Sequence, residues 1–326
     1  MAHDRARQTR SVALASWVRR RLGAAPPPPL RGRSPEAGPP LVSHIVPTYK
    51  RPDRHESLYA CFCESAWPNK ELLIADELGE PSPFFLRLRD RRVRYWHSGK
   101  RTTIGDKRNF LVHKARGQIV QHQDDDDHYA QGYTHAMVAR LSDCDLVKLS
   151  VFNILHERDG SKWRWDTRSS GGGQALFSSK FKGLCISVPF GLAVTDVTLW
   201  GFGFSYVYRR ELALRVPFPG INRREDYEFV RQARAAGARC KQVADCADLV
   251  WHHVHDMSTS ACFPQVRLDG PTPIPLTNIL AGSALGGIFG VAIGGPLGAV
   301  AGAGVATMCS AGIVRHALRD GATRGF

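Results

Sequence analysis

The sequence predicts an α/β domain with a mainly parallel, helix-covered sheet over residues 41–262. Short apolar runs typical of strands alternate there with stretches of helical spacing, and this alternation indicates parallel strands joined by helices. Two of the predicted strands end in acidic residues, at Asp76 and at Asp124. Because ligands bind at the carboxyl ends of strands in such sheets, both positions point to one crevice. Strands are expected at 41–49, 71–77, 91–98 and 117–123, and a helix at 104–116.

Composition sets the broad class of the protein. Of its 326 residues, 43% are hydrophobic and 23% are charged, which is ordinary for a globular protein with a core. The eight cysteines are scattered and form no CxxC pair, so we expect reduced cysteines and a cytoplasmic location. No N-terminal apolar stretch leads into a cleavage site, so we expect no secretory signal.

The formal net charge of +14 is partly concentrated near the N-terminus. Residues 1–40 carry eight arginines against Asp4 and Glu36, a net charge of +6, and they end in a proline-rich stretch. This composition favours an extended, disordered arm over packed structure. Such an arm either attracts phosphate groups or is simply a solvated tail, and both readings stay open. Because no nucleic-acid-binding fold signature is present, we expect no nucleic acid partner.

The C-terminal part differs in kind from the rest. After a linker at 263–275, residues 276–314 contain no charged residue, and glycine recurs at every fourth position from Gly282 to Gly302. A glycine strip on one helical face allows close packing, so the segment predicts a glycine zipper that associates with a membrane or another helix. A helical hairpin and a single kinked spanning helix both fit its length. A flexible glycine-rich tail is the alternative, since glycine is a poor helix former in water. The segment would anchor a cytoplasmic protein at the membrane, and residues 315–326 are assigned to a tail.

The strongest chemical signal is the run Asp124-Asp125-Asp126-Asp127. Four adjacent carboxylates repel one another unless a cation or solvent relieves the repulsion. Carboxylate oxygens at this density suit Mg²⁺ or Mn²⁺, so the run predicts a metal site. A solvated acidic turn is the alternative, which the apolar strand directly before the run disfavours.

A second acidic motif, Glu225-Asp226, stands at the start of a helical pattern. One of these carboxylates is a candidate general base for an acceptor hydroxyl. Acidic residues at a helix start also stabilise the helix dipole, which is the structural alternative.

Three further positions carry weaker signals. His253 and His255 alternate, so in a strand they would share a face, and one of them is a candidate metal ligand or else a structural histidine. Trp200 is a candidate for stacking on an acceptor sugar, or is a core residue. Arg224 is a candidate contact for an anionic acceptor or donor phosphate, or is a solvated charge.

The order of these motifs resembles the family 2 type of inverting glycosyltransferases with the GT-A fold. The resemblance covers residues 41–262. It implies a Rossmann-like, mixed and mainly parallel sheet flanked by helices, and transfer of a sugar from a nucleotide-sugar, most readily a UDP-sugar, to an acceptor hydroxyl. The matching stretches are VSHIVPTY at 42–49, Asp76, GDKRN at 105–109, ARGQIV at 115–120, DDDD at 124–127 and ED at 225–226.

The resemblance implies a set of residues that bind the nucleotide-sugar donor. They comprise the loop after the first strand, the aspartate that recognises the base, a basic step and the start of the aspartate run. The family often has a second aspartate after the base-recognising one, and Glu77 stands there instead, so the nucleobase stays open. The implied donor-binding residues are Pro47, Thr48, Tyr49, Asp76, Lys107, Arg108, Asp124 and Asp125.

The resemblance also implies the metal ligands and the catalytic base. Asp124 and Asp126 match the two ends of the DxD motif, which would hold Mn²⁺ or Mg²⁺. His253 or His255 would be a late metal ligand. Asp226 matches the base of the ED pair, with Glu225 beside it.

Two rival functions are weighed against this one. A nucleotidyltransferase would carry a glycine-rich phosphate loop after the first strand, whereas this position reads PTYKRPD. Alternatively, the glycine zipper is the working part of a membrane-inserting or self-associating protein, and the glycosyltransferase-like domain is inactive and only binds a nucleotide-sugar.

Overall fold

In the computed structural model, the described residues are 38–77, 79–169, 175–176, 186–187, 194–245, 247–256, 258 and 262–270. They divide into two compact units. The first comprises the described residues up to Asn153 together with Thr195–His253, and the second comprises the described parts of Ile154–Val194 and of the chain from Val254 onwards. The predicted basic arm up to residue 37 and the glycine-zipper segment lie outside the described residues. No helix within the described ranges is long and apolar enough to span a bilayer.

The strands and helices are named here in chain order. The strands are β1 (Val42–Pro47), β2 (Lys70–Glu77), β3 (Val93–Ser98), β4 (Ile119–His122), β5 (His128–Tyr129), β6 (Leu146–His156), β7 (Lys162–Asp166), β8 (Ala175–Leu176), β9 (Ile186–Ser187), β10 (Val207–Arg209), β11 (Cys240–Ala244), β12 (Val250–Val254) and β13 (Val266–Arg267). The helices are α1 (His55–Glu64), α2 (Pro83–Arg87), α3 (Ile104–Lys114), α4 (Tyr133–Ala139), α5 (Asp196–Trp200), α6 (Arg210–Arg215) and α7 (Glu225–Ala235). Short 3₁₀ turns occupy Pro52–Arg54 and Gly203–Ser205.

The sheet of the first unit is mixed, and its parallel part is central. The strand order is β6-β10-β4-β1-β2-β3. Strand β1 pairs in parallel with β2 and β4, β2 pairs in parallel with β3, and β11 pairs in parallel with β6. Strand β10 is antiparallel to both β4 and β6. The predicted mixed, mainly parallel sheet flanked by helices is therefore confirmed, and the four predicted strands and the helix at 104–116 are all present.

Both faces of the central strands are buried, which explains their continuous apolar runs. Neighbouring residues of a strand point to opposite faces. On β1, Ile45 packs into a core with Phe110 of α3 and Phe229 of α7. The next residue, Val46, packs into a second core with Phe62 of α1. Helices thus cover the sheet on both sides, as parallel sheets require.

Strand register places the chemically interesting residues at one edge of the sheet. Val42 of β1 lies beside Lys70 of β2 and Ile119 of β4. Because the three strands are parallel, their carboxyl ends lie together, and the residues that follow them share one edge. Thr48 follows β1, the aspartates that begin at Asp124 follow β4, and Asp76 is the last residue but one of β2.

The described part of the second unit contains an antiparallel strand pair. Val266 of β13 pairs with Arg164 of β7. Trp163 and Trp165 of β7 are buried, and the ring of Trp165 lies 5.9 Å from that of Phe263. Residues that the sequence assigns to a linker thus include strand β13.

The close packing of Gly105, at the start of α3, can be tested by substitution. A Cβ atom at this position would lie 1.8 Å from the carbonyl oxygen of Pro219. We expect Gly105→Ala to lower the free energy of unfolding by about 1–3 kcal/mol, the usual cost of overpacking. Urea denaturation measures this, with Gly132→Ala as the control, since no atom lies within 4 Å of a Cβ built there. Equal stability of the two variants would contradict the packing described.

Candidate active site

The run of four aspartates directly follows β4 at the carboxyl edge of the sheet. One carboxylate oxygen from each of Asp124, Asp126 and Asp127 lies within 4.8 Å of the other two. Three oxygen donors at this spacing form a ligand set suited to a hard divalent cation. The predicted ligands Asp124 and Asp126 are thus brought together, with Asp127 as an additional member.

Cationic side chains from other elements approach the aspartate run. A guanidinium nitrogen of Arg51 lies 2.6 Å from carboxylate oxygens of both Asp125 and Asp126. The hydroxyl of Thr48, in the loop after β1, donates a hydrogen bond to Asp125. Arg108 on α3 lies 3.9 Å from Asp124. The repulsion between adjacent carboxylates is therefore partly balanced by positive charge within the fold.

At Asp124 and Asp125 the nearby positive charge does not fully offset the effect of burial on the carboxylate pKa. Burial raises the pKa of Asp124 to about 8, the charge of Arg108 opposes this shift, and the three neighbouring aspartates add to it. Burial also raises the pKa of Asp125, against the effects of Arg51 and Thr48. A bound cation would stabilise the charged form of such carboxylates.

Asp127 is fixed by strand β12. The Nδ1–H of His252 donates to Asp127, whose two oxygens each lie 3.0 Å away. The backbone N–H of His253 donates to the same carboxylate at 2.9 Å. The imidazole of His252 is stacked on the ring of Phe204, with centroids 4.5 Å apart. Asp127 therefore has a defined orientation beside Asp124 and Asp126.

The histidine that contacts the aspartate run is one the sequence analysis did not select. In β12 the buried positions are Val250, His252 and Val254, so His252 points inward and His253 is half-buried. The strand ends before His255, which belongs to the second unit and whose backbone N–H donates to Ser258. Among the described residues, the carboxylate cluster includes neither of the predicted histidines. The apolar alternation around His252 is the signal that identifies it.

The residues that the sequence predicts to bind the nucleotide include several at the ends of β1 and β2. Pro47 is the last residue of β1. Asp76 is buried near the end of β2 and accepts a hydrogen bond of 2.6 Å from the hydroxyl of Tyr95. Cationic groups of Lys50 and Arg101 lie 5.4 and 5.5 Å from the ring centre of Tyr49. The half-buried Tyr49 thus lies in a positively charged environment.

The two basic residues of α3, Lys107 and Arg108, are buried and form ion pairs within the protein. Lys107 forms a buried ion pair with Glu77 at 3.1 Å and donates to the carbonyl oxygen of Thr48 at 3.0 Å. Arg108 donates to the carboxylate of Glu225, and both side chains are buried. Both arginine and lysine therefore hold neighbouring elements together, in addition to lying beside the predicted donor pocket.

The second acidic motif begins helix α7. Arg224 precedes it in the left-handed region, with φ of 60°. Burial raises the pKa of Glu225 to about 7, and the charge of Arg108 opposes that shift. Asp226 is half-buried and accepts a hydrogen bond of 2.7 Å from the backbone N–H of Gly203. The two carboxylates of the motif thus differ in their partners.

The turn that contacts Asp226 also contains Trp200. A Cβ atom at Gly203 would lie 2.6 Å from the Cβ of Asp226, so this close approach needs glycine. Trp200 is half-buried, and the guanidinium of Arg234 lies 4.7 Å from its ring centre. One face of the predicted sugar-stacking residue is thereby covered.

Comparisons with known proteins find one sequence family and several solved structures that are similar to this chain. Residues 43–197 match the sequence profile of the family described as Glycosyl transferase family 2. Residues 1–349 of S. aureus TarS, solved in complex with UDP-GlcNAc, align with 67% of this chain and 59% of that chain, at 16% identity and a TM-score of 0.47. The chain therefore spans less than two thirds of that TarS structure.

A second solved structure aligns over more of the chain. The mannosyltransferase PcManGT from Pyrobaculum calidifontis, in complex with GDP-Man and Mn2+, aligns with 97% of this chain and 89% of that chain, at 18% identity and a TM-score of 0.47. No curated protein sequence gives a significant match.

Glu225 predicts a pH dependence of stability. Its pKa in the folded protein, about 7, lies above the ordinary value of 4.5, so the folded protein retains a proton there that the unfolded chain releases. Its contribution to the free energy of unfolding should therefore fall as pH rises from about 4.5 to about 7, by about 3 kcal/mol. The difference between wild type and Glu225→Gln in denaturant titrations measures this fall. Glu228→Gln, on the same helix, is the control, and a pH-independent difference for Glu225→Gln would rule the prediction out.

Proposed function

We propose that this chain transfers a sugar from a nucleotide-sugar to an acceptor hydroxyl, with inversion and with a divalent metal ion, and the match of residues 43–197 to the Glycosyl transferase family 2 profile supports this proposal. One observation carries the proposal. Arg108 lies 3.9 Å from Asp124 and bonds to Glu225, so a single buried side chain joins the aspartate run to the ED motif. The donor end and the base of the proposed reaction are thereby adjacent.

The proposed donor site lies at the carboxyl edge of the sheet. Tyr49 and the nearby Lys50 and Arg101 would attract the charged nucleotide, since cationic groups raise the local concentration of an anionic ligand. Asp76 would accept a hydrogen bond from the nucleobase.

The aspartate run fits the proposed metal. Asp124, Asp126 and Asp127 would hold Mn²⁺ or Mg²⁺, because their oxygens converge and such oxygens are the preferred ligands of these ions. A bound divalent ion supplies charge stabilisation for the nucleoside diphosphate that leaves. Asp127, oriented by His252 and by the backbone of His253, would fix the geometry of this ligand set.

Asp226, rather than Glu225, is the proposed base. The carboxylate of Glu225 is buried and bound to Arg108, whereas Asp226 is half-buried and accepts hydrogen bonds from the backbone N–H groups of Gly203 and Tyr227. Asp226 would take the proton of the acceptor hydroxyl as that oxygen bonds to the anomeric carbon. The bond from the anomeric carbon to the donor phosphate oxygen breaks, and the nucleoside diphosphate leaves with the electron pair. Trp200 and Arg224 remain the proposed acceptor contacts.

The metal site predicts the behaviour of Asp126→Asn. The amide keeps the shape of the side chain and removes its charge, so metal-dependent release of nucleotide should fall at least about 100-fold, the scale of losing one charge-stabilising group. The assay uses UDP-, GDP-, dTDP- and CMP-sugars with Mn²⁺, Mg²⁺ or EDTA. The matched control is Asp143→Asn, at an exposed carboxylate paired with Lys241. Wild-type release that persists in EDTA would overturn the metal proposal.

The base assignment predicts a different pattern for Asp226→Asn. Sugar transfer should fall about 10²–10⁴-fold, because general-base catalysis contributes on that scale. Affinity for the nucleoside diphosphate, measured by calorimetry with Mn²⁺, should stay within about twofold, since Asp226 bonds to the Gly203 turn and not to the aspartate run. Glu228→Gln on the same helix serves as the control. Transfer at the wild-type rate in Asp226→Asn would show that Asp226 is not the base.

A further inference from the structure

Lys148 is a fully buried lysine near the start of β6. Its ammonium donates to the carbonyl oxygens of Leu199 and Gly201, both at 2.8 Å. A buried ammonium is costly unless its donors are satisfied and an opposite charge is near. The two hydrogen bonds from Lys148 offset part of the free energy that burying its charge costs. They also fix the segment that contains Leu199 and Gly201 against β6.

Two further side chains contact carbonyl oxygens of the turn from Leu199 to Gly203. The carbonyl oxygen of Leu199 also accepts from Gln242 of β11 at 2.8 Å. The carbonyl oxygen of Gly203 lies 2.7 Å from Nδ1 of His122, a buried residue of β4. Side chains from three strands therefore hold a single five-residue turn.

The last residue of this turn, Gly203, contacts the proposed base, Asp226. The N–H of Gly203 donates to Asp226, while the carbonyl side of the turn is bound by Lys148. Burial lowers the pKa of Lys148 to about 7, and the negative charge of Asp226 opposes that shift.

We propose that Lys148 is a positioning residue, whose ammonium holds the Leu199–Gly203 turn so that the Gly203 N–H keeps the Asp226 carboxylate aligned for proton transfer. The inference rests on the proposed function, in which Asp226 is the base. Lys148 bonds to the turn and to none of the aspartates that follow β4. Its loss should therefore slow the chemical step and leave donor binding unchanged.

The test compares Lys148→Met with wild type in two measurements. Steady-state transfer should show kcat reduced at least about tenfold and KM for the donor within about twofold. Hydrogen–deuterium exchange, which needs no activity, should show faster exchange of amides 199–203 in the variant. Lys241→Met, on the adjacent strand β11, is the matched control, because this exposed lysine pairs only with a surface carboxylate in the contacts described.

The outcomes separate this inference from the proposed function. A kcat within twofold of wild type, a parallel rise in the donor KM, or unchanged exchange at 199–203 would overturn the role of Lys148. If Lys148→Met does not fold, Lys148→Gln, which keeps donors without the charge, is judged by the same criteria. If Asp226→Asn is fully active, the base assignment fails, whereas the exchange measurement still decides whether Lys148 holds the turn.

Discussion

The crowding of four carboxylates after β4 constrains the rest of the active site. Such a run is stable at the end of a buried strand only where the fold brings positive charge or hydrogen-bond donors to it. Arg51, Arg108 and His252 supply them from the loop after β1, from α3 and from β12. Three elements that are far apart in the chain therefore have to converge on one strand end.

Arg108 extends this constraint to the other half of the site. Its guanidinium lies between Asp124 and Glu225, and breaking a buried ion pair by removing one partner typically costs about 3–5 kcal/mol. The start of α7, and with it Asp226, is thereby fixed relative to the aspartate run. One buried side chain thus links the aspartate run to the helix that contains the proposed base.

Sequence reasoning found what is encoded locally and missed what depends on distant contacts. The apolar run before Asp124 and the helical spacing of α3 were sufficient to predict both elements. The alternation of Val250, His252 and Val254 marks His252 as an inward residue, but its partner Asp127 lies 125 positions away along the chain and cannot be read from that alternation. Arg51 and Lys148 carry no local signal either, since their partners are supplied by β4 and by the turn at Leu199.

The central claim is that the aspartate run holds the metal that carries the donor diphosphate. Crystals grown with Mn²⁺ and a nucleoside diphosphate, measured at the manganese absorption edge, test it directly. The account predicts an anomalous peak within coordination distance of Asp124 and Asp126, about 2.0–2.3 Å, with the diphosphate bound to the same ion. Nucleotide bound at the sheet edge with no anomalous peak at these aspartates would contradict it.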